Sequence, residues 1–289
     1  MDPRSTTAAT TTGGAQATSE QVRRARSFHD LHQGPDVLVL PNAWDAGSAV
    51  LFERAGFPAV GTTSAGIAYS LGYPDGQRLA FDELLAAGAA IARRLAVPLT
   101  VDVEAGYGAT PEEVAANVAR VVAVGAVGVN VEDGRDGALA DAGLQVEVIA
   151  ALRELKDRTG VPFVINARTD SYWLGLGDDG SRLRTSIARG NAYLDAGADC
   201  VFVPGRFGAD VIATLVTELA GPLNVIASPA CPRLQELREL GVARLSMGSA
   251  PVRAALGLVR DIAVALRGGD MSWVQDVKLG YDEANALFE

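Results

Sequence analysis

An eightfold alternation of helix and strand predicts a TIM-type (β/α)8 barrel, and three observations support it. A unit of helix, closing glycine or short turn, and apolar strand recurs along the chain. Its strands are β-branched and aliphatic runs of the kind that parallel sheets bury on both faces. The polar residues that end those runs lie where barrels of this type carry their working groups. A chain of 289 residues fits one such domain, and 48% hydrophobic against 6% aromatic residues suits a core of Ala, Val and Leu rather than a β sandwich.

Residues 1–19 are rich in Thr, Ala and Gly and offer almost nothing to bury, which predicts a disordered tail ahead of one barrel domain over residues 20–289. Glu20 opens a helical pattern that runs to Gln33 and stops at Gly34-Pro35. Val37 to Leu40 reads as the first strand, with Asn42, Trp44 and Asp45 at its carboxyl end, and a helix over 46–55 closes at Gly56. The unit returns at residues 54–60, 95–101, 124–129, 159–164, 196–201, 220–225 and 240–245, with its glycines as the residues that end helices. An open doubly wound sheet is the rival. It more often shows a glycine-rich phosphate loop after the first strand, where this chain has Pro41-Asn42-Ala43-Trp44-Asp45.

The stretch from Leu99 to Glu113 carries the chemistry. Asp102 and Glu104 are two apart at the end of a strand, so alternation points both carboxylates one way. Gly106 and Gly108 break the strand, and Thr110, Pro111 and Glu113 read as N-cap, N1 and N3 of a capping box. Such a pair suggests a hard divalent cation on oxygen ligands, Mg2+ with retained waters or, as the alternative, Mn2+. Glu132 ends the adjacent strand and supplies a third carboxylate; acids this close repel unless a cation or a shared proton lies between them.

The other strand ends offer Asn130 and Asp133, then Asn166, Arg168 and Asp170, and later Arg206, Ser228 and Ser246. Arg168 suits bidentate contact with a substrate carboxylate, the rival reading being an ion pair with Asp170 or Asp133. For Glu132 the rival is a cap on the following helix. Backbone N–H groups of Ser64, Ala65 and Gly66 suit a carboxylate or an enolate oxygen, and Asp75 returns toward the water shell of the metal.

The net charge of -10, without a Lys/Arg cluster, argues against nucleic acid or an anionic membrane as partner. Two cysteines, Cys200 and Cys231, give no disulfide framework and point to a reducing compartment. With no apolar run of membrane-spanning length and no secretion signal, the expected location is the cytoplasm. His29 and His32 both fall on the N-terminal helix, outside the barrel.

Six motifs in register, Pro41-Asn-Ala-Trp-Asp-Ala46, Thr63-Ser-Ala-Gly66, Leu71-Gly-Tyr-Pro-Asp75, Asp102-Val-Glu-Ala-Gly-Tyr-Gly108, Gly128-Val-Asn-Val-Glu-Asp133 and Asn166-Ala-Arg-Thr-Asp170, resemble the isocitrate lyase and phosphoenolpyruvate mutase superfamily over about residues 36–260. The resemblance implies a Mg2+ enzyme acting on 2-oxo or 2-hydroxy carboxylates through a pyruvate-type enolate. It implies Asp102 as direct metal ligand, Glu104 and Glu132 as direct or water-mediated ligands, and Asp75 in support. Ser64, Ala65, Gly66, Asp102, Asn130 and Arg168 would bind substrate, with Arg168, Asp75 and Glu132 as the catalytic set. It also implies a homo-oligomer, tetramer or dimer, whose C-terminal helical extension beyond Ser249, toward Trp273, is exchanged between subunits; Arg253 matches a basic residue at the start of that helix in methylisocitrate lyases.

The departures bear on the reaction. The lyase lid, Lys-Lys/Arg-Cys-Gly-His, is replaced here by residues 134–143, without cysteine or histidine. The phosphoenolpyruvate mutase lid, with its lysine and asparagine, is missing too, and Val203-Pro204-Gly205 stands where that enzyme has a histidine. A carbon–carbon lyase acting on a small acid such as oxaloacetate is therefore expected. Carbon–phosphorus chemistry and a non-catalytic binder of 2-oxo acids are the alternatives.

Overall fold

The computed structural model describes residues 17–289, so most of the expected N-terminal tail lies outside the described residues. Residues 17–19 already belong to the start of the first helix: α1 is Ser19–Leu31, and the Thr18 side chain accepts from Gln21 N as its N-cap.

The elements then follow in order. β1 is Leu38–Leu40, β2 Asn42–Ala43, α2 Ala46–Arg54, β3 Val60–Thr62, α3 Ser64–Ser70, α4 Phe81–Ala92, β4 Leu99–Asp102, α5 Pro111–Ala123 and β5 Gly128–Glu132. The hairpin β6 Gly134–Arg135 and β7 Ala138–Leu139 leads to α6 Ala142–Thr159, β8 Val164–Arg168, α7 Asp179–Asp195, β9 Cys200–Val203 and α8 Ala209–Glu218. β10 Leu223–Ile226, α9 Leu234–Leu240, β11 Arg244–Ser246, α10 Ala250–Arg267, a 3-10 turn Ser272–Asp276 and α11 Tyr281–Ala286 complete the chain.

The main sheet runs β1-β11-β10-β9-β8-β5-β4-β3-β2 with every pairing parallel. Its two ends, β1 and β2, are halves of one strand. Pro41 lacks an N–H and interrupts the ladder between them; β1 pairs with β11, β2 pairs with β3, and the Pro41 carbonyl still accepts from Gly61 N at 2.9 Å. The sheet thus closes around eight positions, and the expected barrel stands, with its first strand broken. Thr110, Pro111 and Glu113 form the capping box read from the sequence, and Gly160 and Gly241 end α6 and α9 in the left-handed conformation.

The apolar core lies between strands and helices. Val101, Val129, Val131, Ile165 and Ala167 pack with Val114, Val118, Ile149 and Leu152 from α5 and α6. Alternation sends their neighbours Thr100 and Asp102, Asn130 and Glu132, Asn166 and Arg168 to the barrel interior. Asn224 and Arg244, fully buried, continue this polar interior on β10 and β11. Interiors of such barrels are usually filled with branched aliphatic residues; here they hold amides, carboxylates and the guanidiniums of Arg168 and Arg244.

α1 closes the amino-terminal end of the barrel, opposite the mouth. Gln21 Nε2 donates to the carbonyls of Val122, in the last turn of α5, and Ala126, just ahead of β5, and Arg24 Nη1 to that of Leu95, ahead of β4. Phe28 reaches the first residue of β5, where a Cβ on Gly128 would stand 2.7 Å from its ring. Both histidines accompany this plug and stay away from the mouth. Burial, and next the Arg244 charge, pull the His32 pKa down to about 3. Among the described residues no helix is long and apolar enough to cross a membrane.

The plug is tested by Phe28→Ala. Deletion of a buried ring costs about 3–5 kcal/mol, so urea unfolding should show a loss of that order. A loss below about 1 kcal/mol would remove α1 from the core.

Candidate active site at the barrel mouth

Asp102 ends β4 and faces a cavity of about 850 Å3 at the carboxyl ends of the strands. Its backbone N–H donates to Thr62 Oγ1 at 2.9 Å, and its Oδ2 accepts from Ser64 Oγ at 2.9 Å and from Ser64 N at 3.4 Å. Asp75, on the loop between α3 and α4, faces the same space, and burial, followed by the Asp102 charge, raises its pKa.

Glu104 arrives by a different route from the one alternation predicts. β4 ends at Asp102, and Glu104 has a left-handed backbone, φ 50°, that turns its buried carboxylate toward Tyr107 and the 75–79 loop. It accepts from Tyr107 OH at 2.6 Å and from Gln77 N. Burial is the main reason its pKa is pushed up to about 7; the Asp102 and Asp75 charges add to it, and the two hydrogen bonds oppose it.

Glu132, at the end of β5, pairs with Arg168 at 2.7 Å. Arg168, at the end of β8, also holds Asp170 through Nε at 2.6 Å, so the ion pair weighed as a rival reading is present and the guanidinium still lines the cavity. Burial raises Glu132 and Asp170. Arg168 opposes the rise at both. Burial alone would lower the Arg168 pKa, but Asp170 and Glu132 more than offset it, and this side chain stays charged. The Trp173 and Phe202 rings flank it at 5.6 and 5.8 Å. The Asp133 carboxylate makes no ion pair with Arg168; it is fully buried and held by Tyr193 OH at 2.7 Å, Arg189 Nη1 at 3.1 Å and Asp170 N at 2.8 Å.

Four carboxylates, Asp75, Asp102, Glu132 and Asp170, thus lie around one guanidinium with Glu104 beside Asp102 and Asp75, and this all-oxygen, acid-rich donor set fits a hard divalent cation. Among the described residues no three His, Cys, Asp or Glu side chains stand close enough to hold one ion between them. Asp102, Glu104 and Glu132 therefore share a neighbourhood without forming a direct triad. One or two direct carboxylates with the rest reached through water is the habit of Mg2+.

The expected anion cradle is narrower than the sequence suggests. Ser64 N is turned to Asp102 and Gly66 N to its N-cap, Thr63 Oγ1, at 3.3 Å, which leaves Ala65 N as the open donor of the three. Gly66 does not line the cavity. It is a glycine for packing, since a Cβ there would lie 2.6 Å from Thr63 Cγ2 and 2.9 Å from Trp44 Cβ. Residues 134–139 form the β6–β7 hairpin and not a flap over the mouth. Arg135 ties it to the carbonyls of Gly108 and Ala105 at 2.9 and 3.0 Å.

Asn130 faces the cavity as expected, and the far wall adds residues to which sequence reasoning gave no role: Tyr69, Arg182, Trp173 and Ser249. Arg206 and Arg253, noted in the sequence, line it as well. Trp173, Arg206 and Ser249 lie on loops without a periodic pattern, and Tyr69, Arg182 and Arg253 lie on helices whose orientation at the mouth follows from the loops that precede them. Arg244 was also missed, although a charged residue inside an apolar strand run is a legible signal.

The family model for phosphoenolpyruvate phosphomutase matches residues 28–267. A protein of Mycobacterium tuberculosis without an assigned function is 40% identical over 244 residues, 84% of this chain and 90% of that one. The 2-methylisocitrate lyase of Escherichia coli is 31% identical over 210 residues, 70% of this chain and 65% of that one. Among solved structures, one from Burkholderia cenocepacia described as a lyase/mutase superposes with a TM-score of 0.86 at 37% identity, covering 94% of this chain and 97% of that one. A phosphonopyruvate hydrolase in complex with oxalate and Mg2+ superposes with a TM-score of 0.80 at 25% identity, covering 91% and 94%.

The raised Glu104 pKa sets a pH dependence. Between its ordinary value of 4.5 and about 7 the folded protein holds a proton that the unfolded chain has released, so metal-free stability falls as pH rises through that window. The full effect is about 3 kcal/mol. Melting curves of the metal-free protein should show the gap between Glu104→Gln and the unaltered chain widening from pH 5 to pH 7.5; a constant gap would contradict the burial of this carboxylate.

Proposed function

The chain belongs to the phosphoenolpyruvate phosphomutase family, and within it we propose a Mg2+-dependent lyase that cleaves a carbon–carbon bond of a small 2-oxo or 2-hydroxy carboxylic acid through a pyruvate-type enolate. Arg168, Asp102 and the open Ala65 N–H share one cavity, and that arrangement carries the reading. In it Asp102 would hold the ion directly, and Asp75, Glu104 and Glu132 would reach it through water. A bound Mg2+ would supply positive charge that stabilises the enolate.

The chain's own groups then divide the work. Arg168 binds a substrate carboxylate and faces the bond that breaks; Glu132 and Asp170 fix its guanidinium from behind, so it needs no reorganisation as charge moves. Ala65 N–H donates to the oxygen on which the electron pair of the breaking bond comes to rest. With oxaloacetate, carbon dioxide leaves, the pair from the C3–C4 bond becomes the enolate, and a proton at C3 gives pyruvate. No residue of the β6–β7 hairpin lines the cavity, so this reading takes that proton from water rather than from a lid thiol. Arg206 and Arg253 on the far wall give room and charge for larger acids with a further carboxylate. Exposed apolar side chains along α10 and beyond it, Leu258, Val259, Val264 and Met271, support a homo-oligomer built by exchange of the last helix.

Carbon–phosphorus cleavage is the second reading, favoured by the 29% identity over 240 residues to the phosphonopyruvate hydrolase of Variovorax. Purified protein with Mg2+, offered oxaloacetate, 2-methylisocitrate and phosphonopyruvate while pyruvate release is followed, separates them. Pyruvate should come from one of the first two and stop on addition of EDTA. Pyruvate from phosphonopyruvate alone would transfer the assignment to the second reading, and binding without turnover to a 2-oxo acid binder. Arg168→Lys should lower kcat about 10²–10³-fold, and Asp102→Ala should abolish metal-dependent turnover with an unchanged melting profile.

A further inference from the structure

Below the cavity floor lies a charge that the proposed reaction does not use. Arg244, on β11, is fully buried, and among the described residues no carboxylate pairs with it. Its Nη2 donates to Asn130 Oδ1 at 3.2 Å and its Nε to Ser246 Oγ at 3.2 Å, while Nη1 has no partner. Burial pulls its pKa down to about 10, with the Asp102 charge opposing, so it remains a cation at neutral pH. A buried guanidinium without a counter-ion is costly and persists only where something compensates it.

The compensation lies in what Arg244 does to Asn130. Asn166 Nδ2 donates to the same Asn130 Oδ1 at 2.8 Å. A guanidinium has only donors, so the atom facing it must be the amide oxygen and not the nitrogen. The oxygen is thereby committed to the barrel interior, and the Nδ2 group, which hydrogen-bonds to no other described residue, is left for the cavity that Asn130 lines. Asn42 on the same floor differs. Its oxygen takes Met247 N and Gly248 N and its nitrogen goes to the Thr62 carbonyl, so it is spent on joining the broken first strand to the loop after β11.

We propose that Arg244 is a positioning residue that locks the Asn130 carboxamide with its N–H groups toward the cavity, so that Asn130 donates to an oxygen of the bound 2-oxo acid. This assignment rests on the proposed function above, because that reading supplies the anionic ligand. Asn130 acts at the substrate; Arg244 acts through Asn130 and, by its charge, makes the floor of the cavity favourable to an anion.

The experiment is a double-mutant cycle read by calorimetric titration of oxalate, a 2-oxo acid mimic, into the Mg2+-loaded protein. Arg244→Met, Asn130→Ala and the double variant are compared with the unaltered chain. Each single change should weaken oxalate binding about 10–100-fold, the size of one hydrogen bond to a charged group. The double variant should bind no more weakly than the weaker single one, because both remove the same contact. Arg244→Gln, which is neutral and can face Asn130 with either its oxygen or its nitrogen, replaces Arg244→Met if the latter does not fold, and the same loss is expected. Fully additive losses, or an Arg244 variant that binds oxalate within twofold of the unaltered protein, would overturn the assignment. Failure of the unaltered, Mg2+-loaded protein to bind oxalate would instead overturn the functional reading, and the assignment with it.

Discussion

Charge balance in a partly dehydrated space is the constraint on which the mouth of this barrel depends. Asp75, Asp102, Glu132 and Asp170 lie around Arg168 with Glu104 beside them, and burial raises the pKa of Asp75, Glu104, Glu132 and Asp170. One guanidinium cannot neutralise five carboxylates, and near-neutral residues of similar shape would be cheaper if stability were the only requirement. The arrangement becomes economical when a divalent cation joins it. The backbone reflects the same demand: Glu104 and Tyr107 both take left-handed conformations that non-glycine residues seldom adopt, and the Tyr107 hydroxyl then meets the Glu104 carboxylate.

The barrel positions these groups through strand alternation. Val129 and Val131 turn to the helices while Asn130 and Glu132 turn inward, and β8 repeats the pattern with Ile165 and Ala167 against Asn166 and Arg168. Register then places Asn130 beside Asp102 on one side and Asn166 on the other, and Glu132 beside Arg168. The polar mouth and a polar interior layer thus come from the same alternation, and the floor of the cavity is continuous with Arg244 below it.

Much of this was legible in the sequence. The eight units could be read because helix-ending glycines and apolar strands are local signals, and Thr110-Pro111-Glu113 announced its helix cap directly. Asp102 and Arg168 could be placed because they sit at strand ends. What stayed hidden depends on where the backbone goes after a strand stops. Alternation cannot carry Glu104 past the end of β4, and the sequence Asp136-Gly137 in the lid segment makes a tight hairpin that only its pairing reveals. Nor does a run of small residues show which N–H groups remain open: Gly66 looked like part of an anion cradle, whereas its N–H belongs to Thr63 and its missing Cβ makes room for Trp44. The break at Pro41 was visible as a proline but not as the seam where the barrel closes.

The central claim, that the acid cluster around Asp102 is built for a divalent cation, is tested most directly by calorimetric titration of Mn2+ or Mg2+ at pH 7 in two buffers of different ionisation enthalpy. Metal ligands must be deprotonated, and the Glu104 pKa of about 7 means that a fraction of the protein carries a proton there. The account predicts one bound ion per chain, proton release on binding, and loss of that release in Glu104→Gln. An ion that fails to bind, or that binds the Asp102→Ala variant equally well, would contradict it.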